Sequence, residues 1–133
     1  MEKFTLTPRF CETDALGHIN NTSYFIYLEE ARIKFFQSLG YSMNLKDWKF
    51  ILASTKCDFI NQGHFNQKLI VATYITKIGN KSFHLEHEIL CEETNQMIAT
   101  GNAVIVFFNF KEQRSEELPD LFREQLERHL IVK

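Results

Sequence analysis

Between positions 9 and 32 the chain reads RFCETDALGHINNTSYFIYLEEAR, and the residues that could do chemistry gather there. Two carboxylates, Glu12 and Asp14, lead through a flexible Gly17 into the polar cluster His18-Ile19-Asn20-Asn21-Thr22-Ser23. A strongly apolar segment with helical spacing follows at once. The first N–H groups of a helix have no intrahelical acceptor and sit at the positive end of its dipole. A carboxylate that attacks a carbonyl or activates water, beside N–H donors that hold an oxyanion, is what acyl hydrolysis requires. Asp14 is thus a candidate nucleophile or general base, and the backbone at Asn20 and Asn21 a candidate donor set. His18 is either a general base or a holder of the loop. Each residue also has a plainer use. Acidic residues before glycine form turns, asparagines cap helices, and a loop histidine can simply be a hydrogen-bonding group. A solvated turn, however, has no need of so many hydrogen-bonding side chains ahead of a buried helix.

The elements that must position these groups follow from periodicity. Phe4, Leu6 and Phe10 alternate with Thr5, Thr7 and Arg9 as a first strand, with Pro8 marking an edge or bulge. A helix is expected over about residues 22–39, ending at Gly40. Its main stripe is Tyr24, Leu28, Ala31, Phe35 and Leu39, yet Phe25, Ile26, Tyr27, Ile33 and Phe36 lie outside it, so it must be covered broadly. Residues 48–60, 68–78, 82–92 and 97–110 read as strands, with a Gly79-Asn80 hairpin signal between the second and third. A short amphipathic helix over about 119–129 closes the chain. The expectation is one α+β domain over 1–133: an antiparallel sheet of about five strands wrapped around a long central helix.

Other chemistries find less support. Glu29 and Arg32 have the spacing of a helical ion pair, partly buried. His84 and His87 are three apart on a strand and face opposite ways, and no HExxH or cysteine pair occurs, so no metal site is expected. There is no glycine-rich phosphate loop. Lys77 and Lys81 bracket the hairpin turn, either solvated or touching a phosphate-bearing ligand. A formal net charge of -2 argues against nucleic acid as partner. No apolar run approaches the roughly 20 residues of a membrane helix. The first residues carry no secretory h-region, and the odd set Cys11, Cys57 and Cys91 fits free thiols in a reducing cytosol.

The run Asp14-Ala-Leu-Gly-His-Ile-Asn-Asn-Thr-Ser-Tyr24, continued by Tyr27, Glu29, Ala31 and Arg32, resembles the signature of hotdog-fold acyl-CoA thioesterases. It is similar to the 4-hydroxybenzoyl-CoA thioesterase-like branch, with its D-x-x-G-H-x-N-N motif, then Y, then E-x-A-R. The resemblance implies that Asp14 is the catalytic carboxylate and that the oxyanion donor is a backbone N–H on or next to Asn21. It also implies dimers or tetramers with acyl-CoA held between subunits, and phosphate contacts from basic partner side chains, which points to Lys81. Gly17, His18 and Asn20 would shape the substrate loop; no metal or redox cofactor is implied. The chain departs from related patterns in having Leu16 two residues after Asp14. After Gly63-His64-Phe65, Asn66-Gln67 stands just before Lys68 where a Gly-Asp often precedes the third strand, a change expected to leave the catalytic loop alone and to alter a nearby loop. The expected function is acyl-CoA hydrolysis. The alternative is a hotdog domain that binds acyl-CoA without turnover. A hydratase is disfavoured, since no histidine lies between Asn20 and Gly40.

Overall fold

The computed structural model describes residues 2–132. In chain order the elements are β1 (Glu2–Leu6), α1 (Asn21–Ser38), β2 (Phe50–Phe59), β3 (Leu69–Ile78), β4 (Ser82–Cys91), β5 (Met97–Asn109), β6 (Arg114–Ser115) and α2 (Asp120–Glu127). The sheet runs β1-β3-β4-β5-β2 with every pair antiparallel, and β6 extends the end of β5. It curls around α1, giving the α+β architecture that the resemblance implied, with α2 as the short C-terminal helix. The main chain of strands is a β3-β4-β5 meander, flanked by β1 on one edge and β2 on the other. No helix among the described residues is long and apolar enough to cross a membrane.

Local chemistry explains where this departs from the sequence pattern. The first strand stops at Leu6 instead of running to Phe10. Pro8 has no N–H for the ladder, and residues Phe10–Glu12 instead form a 3-10 turn that leaves Phe10 76% exposed. The hairpin turn falls one residue later than its Gly79-Asn80 signal. Gly79 N–H donates to Ser82 O at 2.7 Å, so Asn80 and Lys81 are the central pair. The two-residue β6 had no sequence signal of its own. On α1 the buried side chains are Ser23, Tyr24, Tyr27, Leu28, Ala31, Arg32, Phe35 and Phe36. Phe25 and Ile26 remain exposed, so the cover is broad but one-sided.

The core divides into two clusters along α1. One gathers Phe35, Phe36, Phe50, Phe83 and Phe122 among others, and the other Tyr24, Tyr27, Leu28, Leu69 and Ile89. Between them a row of cross-strand partners traverses the sheet: Thr73, His87, Gly101 and Cys57. At Gly101 the helix comes so near that an added Cβ would stand 2.5 Å from Leu28 Cδ1. The expected Glu29–Arg32 ion pair does not form. Arg32 is buried while Glu29 is exposed, and no salt bridge joins them among the described residues.

His87 is fully buried in this row. Its Nδ1 lies 2.9 Å from Thr73 Oγ1, and its Nε2 has no hydrogen-bond partner. Burial, reinforced by the positive charge of Arg32, pushes the imidazole down to about 3 from its ordinary 6.5. Because the folded value is depressed, the contribution to stability is complete above pH 6.5. As pH falls below that, the unfolded chain binds a proton that the folded one refuses, until about pH 3. Each pH unit inside the window removes up to about 1.4 kcal/mol. Thermal unfolding of the wild type and of His87→Gln, compared from about pH 7 to pH 4, will show a shallower acid loss in the variant. Parallel curves would assign the acid sensitivity elsewhere.

Candidate active site

The site is built where the loop after β1 meets the start of α1, and Glu12 joins the two. Its carboxylate accepts from Arg9 N–H at 2.8 Å, from the Arg9 guanidinium at 3.0 and 3.2 Å, and from the Tyr27 hydroxyl at 3.0 Å. Its carbonyl accepts from Asn20 N–H at 2.9 Å and from Ser23 Oγ at 2.9 Å. Burial works to raise its pKa, but the Arg9 and Tyr27 hydrogen bonds together hold it below the ordinary carboxylate value. Tyr27 is shifted upward by burial and by donating to that carboxylate. Glu12 is therefore a structural tie, a role the sequence did not distinguish from that of Asp14.

Asp14 occupies the next turn and is solvent-exposed. Its Oδ1 accepts from Leu16 N–H at 2.8 Å and His18 N–H at 3.1 Å. Asp14 N–H donates to His18 O at 2.8 Å, and Gly17 closes the turn with φ 78°. One carboxylate oxygen is thus committed to forming the loop, as the plainer reading of an acidic residue before glycine requires. The other oxygen has no protein hydrogen bond among the described residues.

Asn20 caps α1, its Oδ1 accepting from Thr22 N–H at 3.2 Å and Thr22 Oγ1 at 3.1 Å. The Ser23 N–H donates to Asn20 O at 2.9 Å. The N–H of Asn21, the first helical residue, is left with no acceptor among the described residues. Asp14, His18 and Asn21 line one cleft of about 300 Å³, together with Tyr24 and Phe59. A residue with a free carboxylate oxygen and a residue with a free N–H at the positive end of a helix thus line the same cleft.

A second loop, residues 60–66, forms the opposite wall. Ile19 N–H donates to Gly63 O at 2.8 Å, Phe65 N–H to Gly17 O at 2.9 Å, and Gly63 N–H to the Tyr24 hydroxyl at 3.2 Å. His18 and His64 form a backbone bridge and stack edge to face, ring centroids 5.1 Å apart. The Gly63-His64-Phe65 segment, to which the sequence assigned no role, clamps the Asp14 loop directly. Its glycine was the one available signal, since Gly63 marks a close approach. Lys81 is not part of the cleft. It sits on the β3–β4 turn, at the end of the sheet where Phe83 and Phe107 lie, whereas the cleft is at the Phe59 end. The ten residues of β2 separate these ends by about 30 Å.

Comparison with known proteins gives the family of this chain. The thioesterase-like superfamily matches residues 8–126. A solved structure from Bacillus stearothermophilus, described as a predicted thioesterase, superposes with a TM-score of 0.91 at 34% identity, covering 98% of this chain and 97% of that one. The Bacillus subtilis protein YsmA, itself uncharacterized, is 35% identical over 82 residues; the match spans 62% of this chain and only 56% of that protein's length. The long-chain acyl-CoA thioesterase FadM of Escherichia coli is 25% identical over 117 residues, 86% of this chain and 88% of FadM.

The clamp by the second loop is open to a direct check. A Cβ on Gly63 would stand 2.3 Å from Ile19 Cδ1 and 2.9 Å from the Tyr24 hydroxyl, both buried. Gly63→Ala will lower stability by about 1–3 kcal/mol in urea unfolding, as overpacking does. Gly17→Asn meets nothing within 4 Å at a φ that asparagine tolerates, and will cost less. The reverse order would show that the clamp is slack.

Proposed function

This chain belongs to the thioesterase-like superfamily as a hotdog-fold thioester hydrolase, and from that premise we propose that it hydrolyses acyl-CoA at the Asp14 cleft. The observation that supports the assignment is that Asp14, with one uncommitted carboxylate oxygen, and Asn21, with an unpaired N–H, line one cleft. The thioester carbonyl oxygen points at the Asn21 N–H, where the negative charge of the tetrahedral intermediate develops. The free oxygen of Asp14 faces the carbonyl carbon. It either takes a proton from an attacking water or adds to the carbon itself, forming a mixed anhydride that water then opens. In both routes the C–S bond breaks, the thiolate departs and is protonated, and a free acid and CoA result. The loop hydrogen bonds on Oδ1 fix the carboxylate in place, so little ordering remains when substrate binds. His18 and Asn20 hold the loop and the helix cap rather than react.

The reading includes a second copy of the chain. β2 is an edge strand whose residues 52–56 are all exposed, and an unpaired edge is a template for another strand. Two-fold pairing of β2 with itself is antiparallel. The start of one β2 then lies beside the end of the other, and the partner's Lys81 end of the sheet approaches this protomer's Asp14 cleft. That arrangement is how Lys81 would reach CoA phosphates that it cannot meet within its own protomer.

Release of free thiol from a panel of acyl-CoAs tests the chemistry. Asp14→Asn will reduce turnover by at least about 1000-fold with the fold retained. Asn21→Pro is the sharper variant. Proline suits the first helical position, and Asn20 at φ -65°, ψ 140° already has the conformation that precedes proline. The substitution deletes one N–H and will cost about 100- to 1000-fold in kcat, whereas Asn21→Ala will be nearly silent. Binding of acyl-CoA with no hydrolysis on any acyl group would favour the non-catalytic domain instead. Sedimentation equilibrium will give at least a dimer; a monomer that is fully active would remove the partner from the site.

A further inference from the structure

Tyr24 lines the Asp14 cleft with only half of its hydroxyl accounted for. The residue is 3% exposed, and its oxygen accepts from Gly63 N–H at 3.2 Å. A phenol is also a donor, and the hydrogen of this one has no acceptor among the described residues. Tyr27, the next tyrosine of α1, differs in that half: its hydroxyl donates to Glu12. A donor so deeply placed and left unmatched is costly, and such groups call for a partner. Burial, opposed in part by the Gly63 N–H, holds the Tyr24 phenol above its ordinary value, so it keeps its hydrogen at neutral pH. The Gly63 N–H also polarises the hydroxyl and makes it a better donor.

Position selects what it donates to. Tyr24 lies three residues after Asn21, on the same face of the helix, and helical side chains lean toward the N-terminus. Its ring therefore runs back toward the helix start. Gly63 marks where the hydroxyl arrives. The Gly63 N–H meets it, while the Gly63 carbonyl accepts from Ile19 N–H at 2.8 Å, two residues ahead of Asn21. Tyr24, Asn21 and Asp14 line one cleft of about 300 Å³, at the small end of ligand sites, so they meet the same few atoms of a substrate. Around a thioester the strong acceptor is the carbonyl oxygen; sulfur is a weak one and a hydrocarbon chain offers none. As the tetrahedral intermediate forms, that oxygen gains charge and takes more than one hydrogen bond. Resting on the acyl-CoA reading above, we propose that the Tyr24 O–H is a second donor to the oxyanion, beside the Asn21 N–H. No proton changes hands at Tyr24: it keeps its hydrogen while the C–S bond breaks and the thiolate leaves. The loop clamp and the chemistry then share one hydroxyl.

The test uses Tyr24→Phe, which keeps the ring and removes the hydroxyl. Thiol release from the best acyl-CoA of a panel will show kcat down by about 100-fold with KM within about threefold of wild type, the pattern of an interaction made only in the transition state. Two CoA analogues separate this from a loop that has merely slackened. S-trifluoroacetonyl-CoA has a ketone that adds water or the Asp14 carboxylate and so presents a tetrahedral oxyanion; S-propyl-CoA has no carbonyl oxygen. Tyr24→Phe will bind the ketone about 100-fold more weakly and the thioether as wild type does. Equal loss on both analogues overturns the proposal and leaves Tyr24 as a prop for Gly63; so does a wild-type kcat in the variant. Should Tyr24→Phe fail to fold, 3-fluorotyrosine in place of Tyr24 decides. It retains the hydroxyl and makes it a stronger donor, so the ketone will bind severalfold tighter with the thioether unchanged, and an unchanged ketone affinity overturns the proposal. A wild type that hydrolyses no acyl-CoA would instead overturn the thioesterase reading, and this inference with it.

Discussion

The working geometry depends on the tie that Glu12 makes between a loop and a helix. Its carboxylate holds Arg9 on one side and Tyr27 on the other, and its carbonyl takes the Asn20 N–H and the Ser23 hydroxyl. A loop and a helix end are otherwise independent bodies. With donors from four residues converging on one, the turn that carries Asp14 is fixed against the end that carries Asn21. A charge-assisted, half-buried bond such as Tyr27 to Glu12 is stronger than a surface ion pair of the same length. The neighbouring Arg9–Glu12 pair is open to solvent on the arginine side and contributes mainly direction.

The same economy recurs beneath α1. The sheet brings a glycine under Leu28 so that the helix can lie close, and places a histidine and a threonine in the adjoining positions of that row. Apolar residues there would merge the two clusters into one core. Polar ones divide it and leave a buried arginine and a half-satisfied imidazole, features that lower stability and so point to use rather than packing.

Much of this was legible in the sequence, for local reasons. The glycine stop at Gly40 and the alternation in β4 each follow from one residue and its near neighbours, whereas four adjacent residues able to cap left the helix start open until Asn20 took the role. The cleft around Asp14 was legible because the loop and the helix start are contiguous in the chain. What escaped notice depended on partners far away. Glu12 and Asp14 look alike until Tyr27 is seen to reach one of them. The loop around Gly63 meets the Asp14 loop only after some forty-five residues of intervening chain have folded back. Glu29 and Arg32 have the spacing of a pair, but the sheet draws one inward and leaves the other in water. The inward direction of His87 was implied by its parity with Phe83, Leu85 and Ile89, yet its type argued against a core position.

The distribution of apolar residues around α1 bears on how the chain reaches this state. With Phe25 and Ile26 outside and Arg32 inside, the stripe from Tyr24 to Phe35 marks the side to bury only weakly in the isolated helix. The sheet chooses that side, and its edge strand β2 pairs with β5 between residues as distant as Phe50 and Phe107. Closing so long a loop precedes its energetic return. The rod at the centre is therefore a late passenger: folding waits on the slow meeting of remote strands, and a nascent chain would hold its aromatic helix unclaimed until the last of them emerged.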